Sequence, residues 1–134
     1  MNRKTITTFC AIPSALFLVL IGIVHSMVNF SGLRRALARG EIVARLGDPV
    51  LFNAVFSGLL ISLLGLIVFL LLPGLRAGSR QACRVAAAIG IFLGLLGVVG
   101  YIRVPTKPLI LISLLLGVLL FVPILIWRRE LTNP

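Results

Sequence analysis

Four long stretches of the chain contain no charged residue, and the basic residues lie in the segments between them. The stretches cover residues 9–28, 50–72, 85–102 and 109–127. A helix rises about 1.5 Å per residue, so roughly 20 apolar residues cross a hydrocarbon core of about 30 Å. Backbone groups inside lipid must be hydrogen-bonded within their own segment, so each stretch is predicted to be a helix. The pattern predicts an all-α fold, a polytopic membrane protein with a bundle of four transmembrane helices.

Proline and glycine punctuate this pattern. The Pro-Gly pair at 73–74 predicts the end of the second stretch, and Pro105 and Pro108 bracket the turn before the fourth. The first stretch is interpreted as a span and not as a signal peptide, because no small-x-small cleavage pattern follows it. With 134 residues, the chain is predicted to be a single membrane domain, 1–134, with an extramembrane connector at 29–49.

The connector has a mixed sequence with two interpretations. Several of its apolar residues can share one face of a helix, namely Leu33, Ala36, Leu37, Val43 and Leu46. Most of its charged residues fall elsewhere, although Gly40 interrupts the face. This pattern suits a short helix lying on the membrane surface. The alternative is a loop that touches the headgroups.

Composition decides how the charge of the chain is interpreted. Hydrophobic residues make up 60% of the sequence and charged residues 12%, whereas about a quarter of a soluble domain is charged. The formal net charge of +10 would suggest nucleic acid in a soluble protein. Here the cations flank apolar stretches, at the depth where they meet anionic lipid. Membrane lipids are therefore expected as partners, and nucleic acid is not.

The distribution of Lys and Arg favours one orientation by a narrow margin. Four spans put both termini and the loop at 73–84 on one side, with seven basic residues: Arg3, Lys4, Arg76, Arg80, Arg84, Arg128 and Arg129. The other side carries six: Arg34, Arg35, Arg39, Arg45, Arg103 and Lys107. Lys and Arg near span ends favour the cytoplasmic side. The chain is therefore predicted to be a multi-pass protein of the cell membrane, taken as a bacterial inner membrane, with cytoplasmic termini; dual topology is the alternative.

Small residues recur at helical spacing along all four stretches. They are Gly22 and Ser26, then Gly58, Ser62 and Gly65, then Gly90, Gly94 and Gly97, and finally Ser113 and Gly117. Such residues let helix backbones approach closely, which is how membrane helices gain packing energy. The expectation is helix packing within the chain. The alternative is that the stripe of the third stretch packs against another membrane subunit or a second copy of the chain.

Several polar residues gather at one predicted leaflet. They are His25 and Asn29 at the end of the first stretch, Asn53 and Ser57 at the start of the second, and Tyr101 and Arg103 at the end of the third. One interpretation is structural, with a hydrogen bond from His25 to Asn53 across the first two helices, worth about 1 kcal/mol, and with Tyr101 and Arg103 as interface anchors. The alternative is a pocket for a quinone or a lipid headgroup, in which Arg103 holds an anionic group and the others hydrogen-bond it.

The sequence offers little for catalysis or transport. No Asp or Glu lies inside a stretch, whereas proton-coupled transporters keep carboxylates or a histidine relay there. No second catalytic group accompanies His25, so no catalytic residue is predicted and an enzyme is not expected. Cys10 and Cys83 form no CxxC pair, so neither a metal site nor a cofactor is predicted.

Two segments carry a resemblance to a known group of proteins. Gly22-Ile-Val-His25 and Phe52-Asn-Ala-Val-Phe-Ser-Gly58, followed by a glycine-rich third stretch, resemble small four-span bacterial membrane proteins of the DoxX-like kind. Some of these associate with redox membrane complexes, so the resemblance implies an accessory or interaction role and supplies no catalytic residues. The leading hypothesis is a non-catalytic accessory or scaffold subunit. The alternatives are a lipid- or quinone-binding module and an oligomeric transport or channel element.

Overall fold

A computed structural model of the chain describes residues 3–103 and 109–126. They form four helices: α1 Arg3–Ala38, α2 Ala44–Ala77, α3 Arg80–Arg103 and α4 Leu109–Ile126. No strand occurs among the described residues, so the predicted all-α fold is confirmed. Some residues used in the predictions lie outside the described part, namely Pro105, Lys107, Pro108, Trp127, Arg128 and Arg129.

Three of these helices have the length and composition of membrane spans. α1, α2 and α3 are long and apolar enough to cross a bilayer, whereas α4 is a shorter apolar helix. Large apolar side chains cover their outer faces; Phe52 and Leu70 are each 69% exposed. An apolar surface of this extent is not found on a soluble monomer. The chain is therefore a membrane protein.

Most of the predicted connector 29–49 is helical. α1 runs without a break to Ala38 and α2 begins at Ala44, so only residues 39–43 lie between the two helices. The Leu, Arg and Ala residues that precede this loop are strong helix formers, so the charged segment extends the helix instead of ending it. Of the two interpretations of this segment, the described residues therefore show a loop and no separate surface helix.

A glycine ends α1. Gly40 has a φ of 72°, a left-handed conformation that residues with a side chain rarely adopt. Its N–H donates to the carbonyl of Leu37 and the N–H of Glu41 donates to the carbonyl of Ala36, both at 3.0 Å. This is the Schellman arrangement, which satisfies carbonyls at a helix end. The loop also carries an exposed ion pair, with Arg39 Nε 2.8 Å from Glu41 Oε1.

The turn between α2 and α3 is built in the same way. Gly78 has a φ of 75°, and the N–H of Ser79 donates to the carbonyl of Gly74 at 2.8 Å. The Ser79 hydroxyl then accepts a hydrogen bond from the N–H of Ala82 at 3.4 Å, so Ser79 caps the start of α3. α2 therefore continues beyond residues 73–74, where the sequence predicts its end. It ends instead before the left-handed backbone of Gly78.

The chain divides into two compact units. The hairpin unit consists of residues 15–66, which are most of α1, the loop and the first part of α2. The α3–α4 unit consists, among described residues, of 3–14, 67–103 and 109–126. Each unit has its own buried apolar residues, for example Leu18 in the first and Leu93 in the second.

Glycines bring α3 and α4 together. A Cβ added to Gly90 would lie 2.9 Å from the carbonyl oxygen of Gly117, and one added to Gly97 would lie 2.7 Å from the Cβ of Leu114. Gly94 differs from them, because a Cβ added there meets no atom within 4 Å, although its backbone lies beside Gly117. The α3 stripe therefore faces α4 at two glycines, while the missing side chain of the third points to open space.

Candidate functional site

The helices of the hairpin unit approach most closely where small residues oppose one another. A Cβ added to Gly22 would lie 2.6 Å from the backbone nitrogen of Ser62, and one added to Gly58 would lie 2.5 Å from the carbonyl oxygen of Gly22. One added to Gly65 would lie 2.7 Å from the carbonyl oxygen of Ala15. No side chain fits at these positions, so the two backbones are in direct contact.

Two serines add hydrogen bonds across the same contact. The Ser26 hydroxyl of α1 donates to the carbonyl of Val55 in α2 at 3.0 Å. The Ser62 hydroxyl of α2 donates in return to the carbonyl of Val19 in α1 at 3.1 Å. Each hydroxyl would otherwise lie unpaired in an apolar medium, where it is costly. The reciprocal bonds join the two helices at the contact.

His25 and Ser57 extend this polar contact by one further pair. The Nε2 atom of His25 lies 3.3 Å from the Ser57 hydroxyl oxygen, which is also 3.0 Å from the carbonyl of Ala54. A hydroxyl has one proton to donate. When Ser57 donates it to Ala54, the proton shared with His25 must come from Nε2, an assignment that follows from the network. Hydrogen bonds thus connect the imidazole of His25, through the Ser57 hydroxyl, to the backbone carbonyl of Ala54.

Asn29 and Asn53 occupy the next step of the same antiparallel register. Asn29 lies four residues after His25 on α1 and Asn53 four residues before Ser57 on α2. Asn29 is half-buried and Asn53 is exposed. Neither side chain has a hydrogen bond to another described residue, so the predicted bond of His25 to Asn53 is absent and Ser57 takes the place of Asn53. Both amides therefore have capacity for an outside partner.

The two remaining predicted residues end α3 in the other unit. Tyr101 is 49% exposed, and Arg103 is exposed and lies in the last turn of α3. A cation there is favoured by the partial negative charge of the helix C-terminus. Their convergence with the hairpin residues remains a prediction.

The α3–α4 unit contains a groove that the sequence analysis does not predict. The groove has a volume of about 480 Å³ and lies between α4 and one face of α3. The residues of α3 that line it are Arg80, Cys83, Arg84, Ala87, Ala88 and Ile91. The sequence predicts the two arginines only as basic residues of the loop at 73–84. The sequence does contain a signal for this groove. Arg80 and Arg84 are at helical spacing with Ala87 and Ala88, which places all four on one face of a helix.

Other polar side chains lie in the interiors of α1 and α4. Thr7, Thr8 and Ser14 are buried in α1. Ser14 donates to the carbonyl of Cys10 at 2.9 Å, and Ser113 of α4 donates to that of Ile110 at 2.8 Å. Bonds of these serines to carbonyls of the preceding turn satisfy a hydroxyl locally. They create no site.

The described part of the chain shows no reactive constellation. No three His, Cys, Asp or Glu side chains are grouped there so that they could hold a metal ion. Cys10 and Cys83 form no disulfide; the first is half-buried and the second buried. No protein-family model, curated protein or solved structure matches the chain.

Proposed function

We propose that this chain is a non-catalytic integral membrane protein that acts as an accessory or scaffold subunit in the bilayer. The observation that carries the proposal is the use of the polar side chains between α1 and α2. Ser26 and Ser62 donate to backbone carbonyls across the contact, and His25 pairs with Ser57. Groups engaged in this way join helices, whereas a catalytic or transport site would keep such groups directed at a substrate.

The proposal includes four spans with both termini in the cytoplasm. α4 has 18 residues, which is about 27 Å of helix and close to the thickness of the hydrocarbon core. α1 and α2 have 36 and 34 residues, or about 54 and 51 Å, and so exceed that core by about 20 Å each. In this topology the tip of the α1–α2 hairpin projects from the membrane on the side opposite the termini.

The hairpin tip has the properties of a contact surface. Val43 and Leu46 are 68% and 55% exposed beside the charged pair of Arg39 and Glu41. Apolar side chains rimmed by charge on a projecting element are typical of sites that bind another protein. The resemblance of the sequence to DoxX-like membrane proteins supports the same accessory role.

A second candidate function rests on the two asparagines. The amides of Asn29 and Asn53 have no hydrogen bond to another described residue, and an amide in an apolar medium is costly without one. A lipid headgroup or a quinone carbonyl near that end of the hairpin would supply the bond. In this alternative His25 contributes to the same site.

Native mass spectrometry of the protein, extracted gently from its own membrane, tests the two candidates against each other. The accessory role predicts a bound partner chain or a discrete oligomer without a retained small molecule. The binding role predicts a stoichiometric lipid or quinone, which His25→Ala releases. Ser31→Ala is the matched control, because the exposed Ser31 hydroxyl donates to Val28 of its own helix. A retained ligand that depends on His25 would overturn the accessory role, and so would solute flux in liposomes.

A further inference from the structure

The groove of the α3–α4 unit combines cationic and apolar surface along one helix face. Its α3 side begins with Arg80 and Arg84 and continues through Ala87 and Ala88 to Ile91. From Arg80 to Ile91 the groove follows α3 for about 16 Å. The alanine side chains are small and leave an open space beside α3. The larger side chains of α4 border this space on its other side. One end of the groove is therefore positively charged, and mainly apolar side chains line the rest.

The described residues of the α3–α4 unit, to which Arg84 belongs, include no acidic residue. The acids of the chain are Glu41, Asp48 and Glu130; the first two belong to the hairpin unit, and the third lies outside the described residues. Arg84 is exposed and forms no hydrogen bond or ion pair with another described residue. Its guanidinium has a planar set of donors suited to a phosphate. The charge of this end therefore fits an anion from outside the chain.

The walls beyond Arg84 fit a hydrocarbon chain. Ala87 and Ala88 form the α3 wall, and Phe121 and Leu125 border the groove on the α4 side. Their surface offers no donor or acceptor side chain. A volume of about 480 Å³ is within the range of sites that bind small ligands, about 300–1,000 Å³. A soluble anion would use only the cationic end and leave this surface uncovered.

We propose that the α3–α4 groove binds an anionic phospholipid, with its phosphate on Arg84 and one acyl chain along Ala87, Ala88 and Phe121. Arg80 borders the headgroup on the turn before Arg84. Basic pockets between membrane helices bind anionic headgroups in this manner. The site is separate from the asparagines of the hairpin unit and does not depend on the accessory role. It makes the chain selective for a class of lipid at the N-terminal end of α3.

Lipid retention by the full chain tests the proposal. The protein is reconstituted in mixed phosphatidylglycerol and phosphatidylcholine, extracted gently, and its bound lipids are counted by native mass spectrometry. We expect the wild type to retain phosphatidylglycerol in preference to phosphatidylcholine. Arg84→Gln should reduce that retention about fivefold, the effect of one cation near a lipid headgroup. Ala88→Trp, which fills the groove at an exposed position and keeps the charge, should reduce it as well.

Arg76→Gln is the matched control, because Arg76 is exposed in the last turn of α2 and does not line the groove. This variant removes the same charge, and retention should stay at the wild-type level. Equal loss in Arg76→Gln and Arg84→Gln would show a diffuse surface charge and overturn the site. Equal retention of both lipids, or displacement of phosphatidylglycerol by water-soluble glycerol phosphate, would also overturn it. A partner chain still bound to Arg84→Gln would separate this result from the accessory role.

Discussion

Gly22 of α1 and Gly58 of α2 lie so close together that a Cβ added to Gly58 would be 2.5 Å from the carbonyl oxygen of Gly22. The neighbouring atoms include backbone, which cannot rotate away as the end of a long side chain can. In a bilayer, apolar side chains gain nothing from leaving lipid, so close backbone packing supplies much of the association energy. The two glycines therefore set the separation of the hairpin helices.

Gly58→Leu should separate α1 from α2. The added side chain meets Gly22 and Ser26, and overpacking of a tight contact costs about 1–3 kcal/mol. The free energy of unfolding, measured by titration with a denaturing detergent, should fall by at least that amount. Gly32→Leu is the control, because a Cβ on Gly32 of α1 meets no atom within 4 Å. An equal loss in both variants would contradict the close contact.

The hydrogen bond between His25 and Ser57 should appear as a coupling energy. A double-mutant cycle with His25→Ala and Ser57→Ala isolates the pair from the other effects of each substitution. Hydrogen bonds between membrane helices are worth about 0.6 kcal/mol on average, so we expect a coupling of that size. The cycle of His25→Ala with Ser31→Ala should give none, because Ser31 bonds within its own helix. Coupling absent from the first cycle would mean that the pair contributes nothing.

Gly94 separates folding from association. A Cβ on Gly94 meets open space, whereas one on Gly90 would lie 2.9 Å from the carbonyl oxygen of Gly117. Gly90→Ile should therefore destabilise the α3–α4 unit, while Gly94→Ile should leave the free energy of unfolding within about 0.5 kcal/mol of the wild type. If this face of α3 binds another chain, Gly94→Ile should reduce the oligomer or the partner bound in native mass spectrometry. Full association in Gly94→Ile would exclude the face as an interface.

The helices could be predicted from the sequence, but their ends could not. Apolar runs of spanning length leave the helix as the only structure for a single chain segment, so α1 to α4 follow from length and hydropathy. The same argument predicts the end of a helix where charge begins, yet α1 continues through Arg34 and Arg35 to Ala38. What ends it is the left-handed backbone of Gly40, and nothing in the sequence distinguishes this glycine from those that lie inside helices.

The candidate sites also differ in how far the sequence predicts them. The i,i+4 spacing on two antiparallel helices predicts a hydrogen bond from His25 to α2, but the predicted partner is Asn53 and the observed one is Ser57. The groove beside Arg84 depends on where α4 packs along α3, which no local pattern gives. An arginine at a predicted span end has the same sequence signature whether it anchors at the headgroups or lines a groove.

The orientation should respond to single arginines, because the predicted bias is seven basic residues against six. A green fluorescent protein at the C-terminus should fluoresce, and alkaline phosphatase there should be inactive, since both report a cytoplasmic terminus. Replacing Arg76 and Arg84 together with Gln reverses the bias and should give signal from both reporters. Replacing Arg34 and Arg35 with Gln increases the bias and should leave only fluorescence. Equal signals from the wild type would mean that the chain inserts in both orientations.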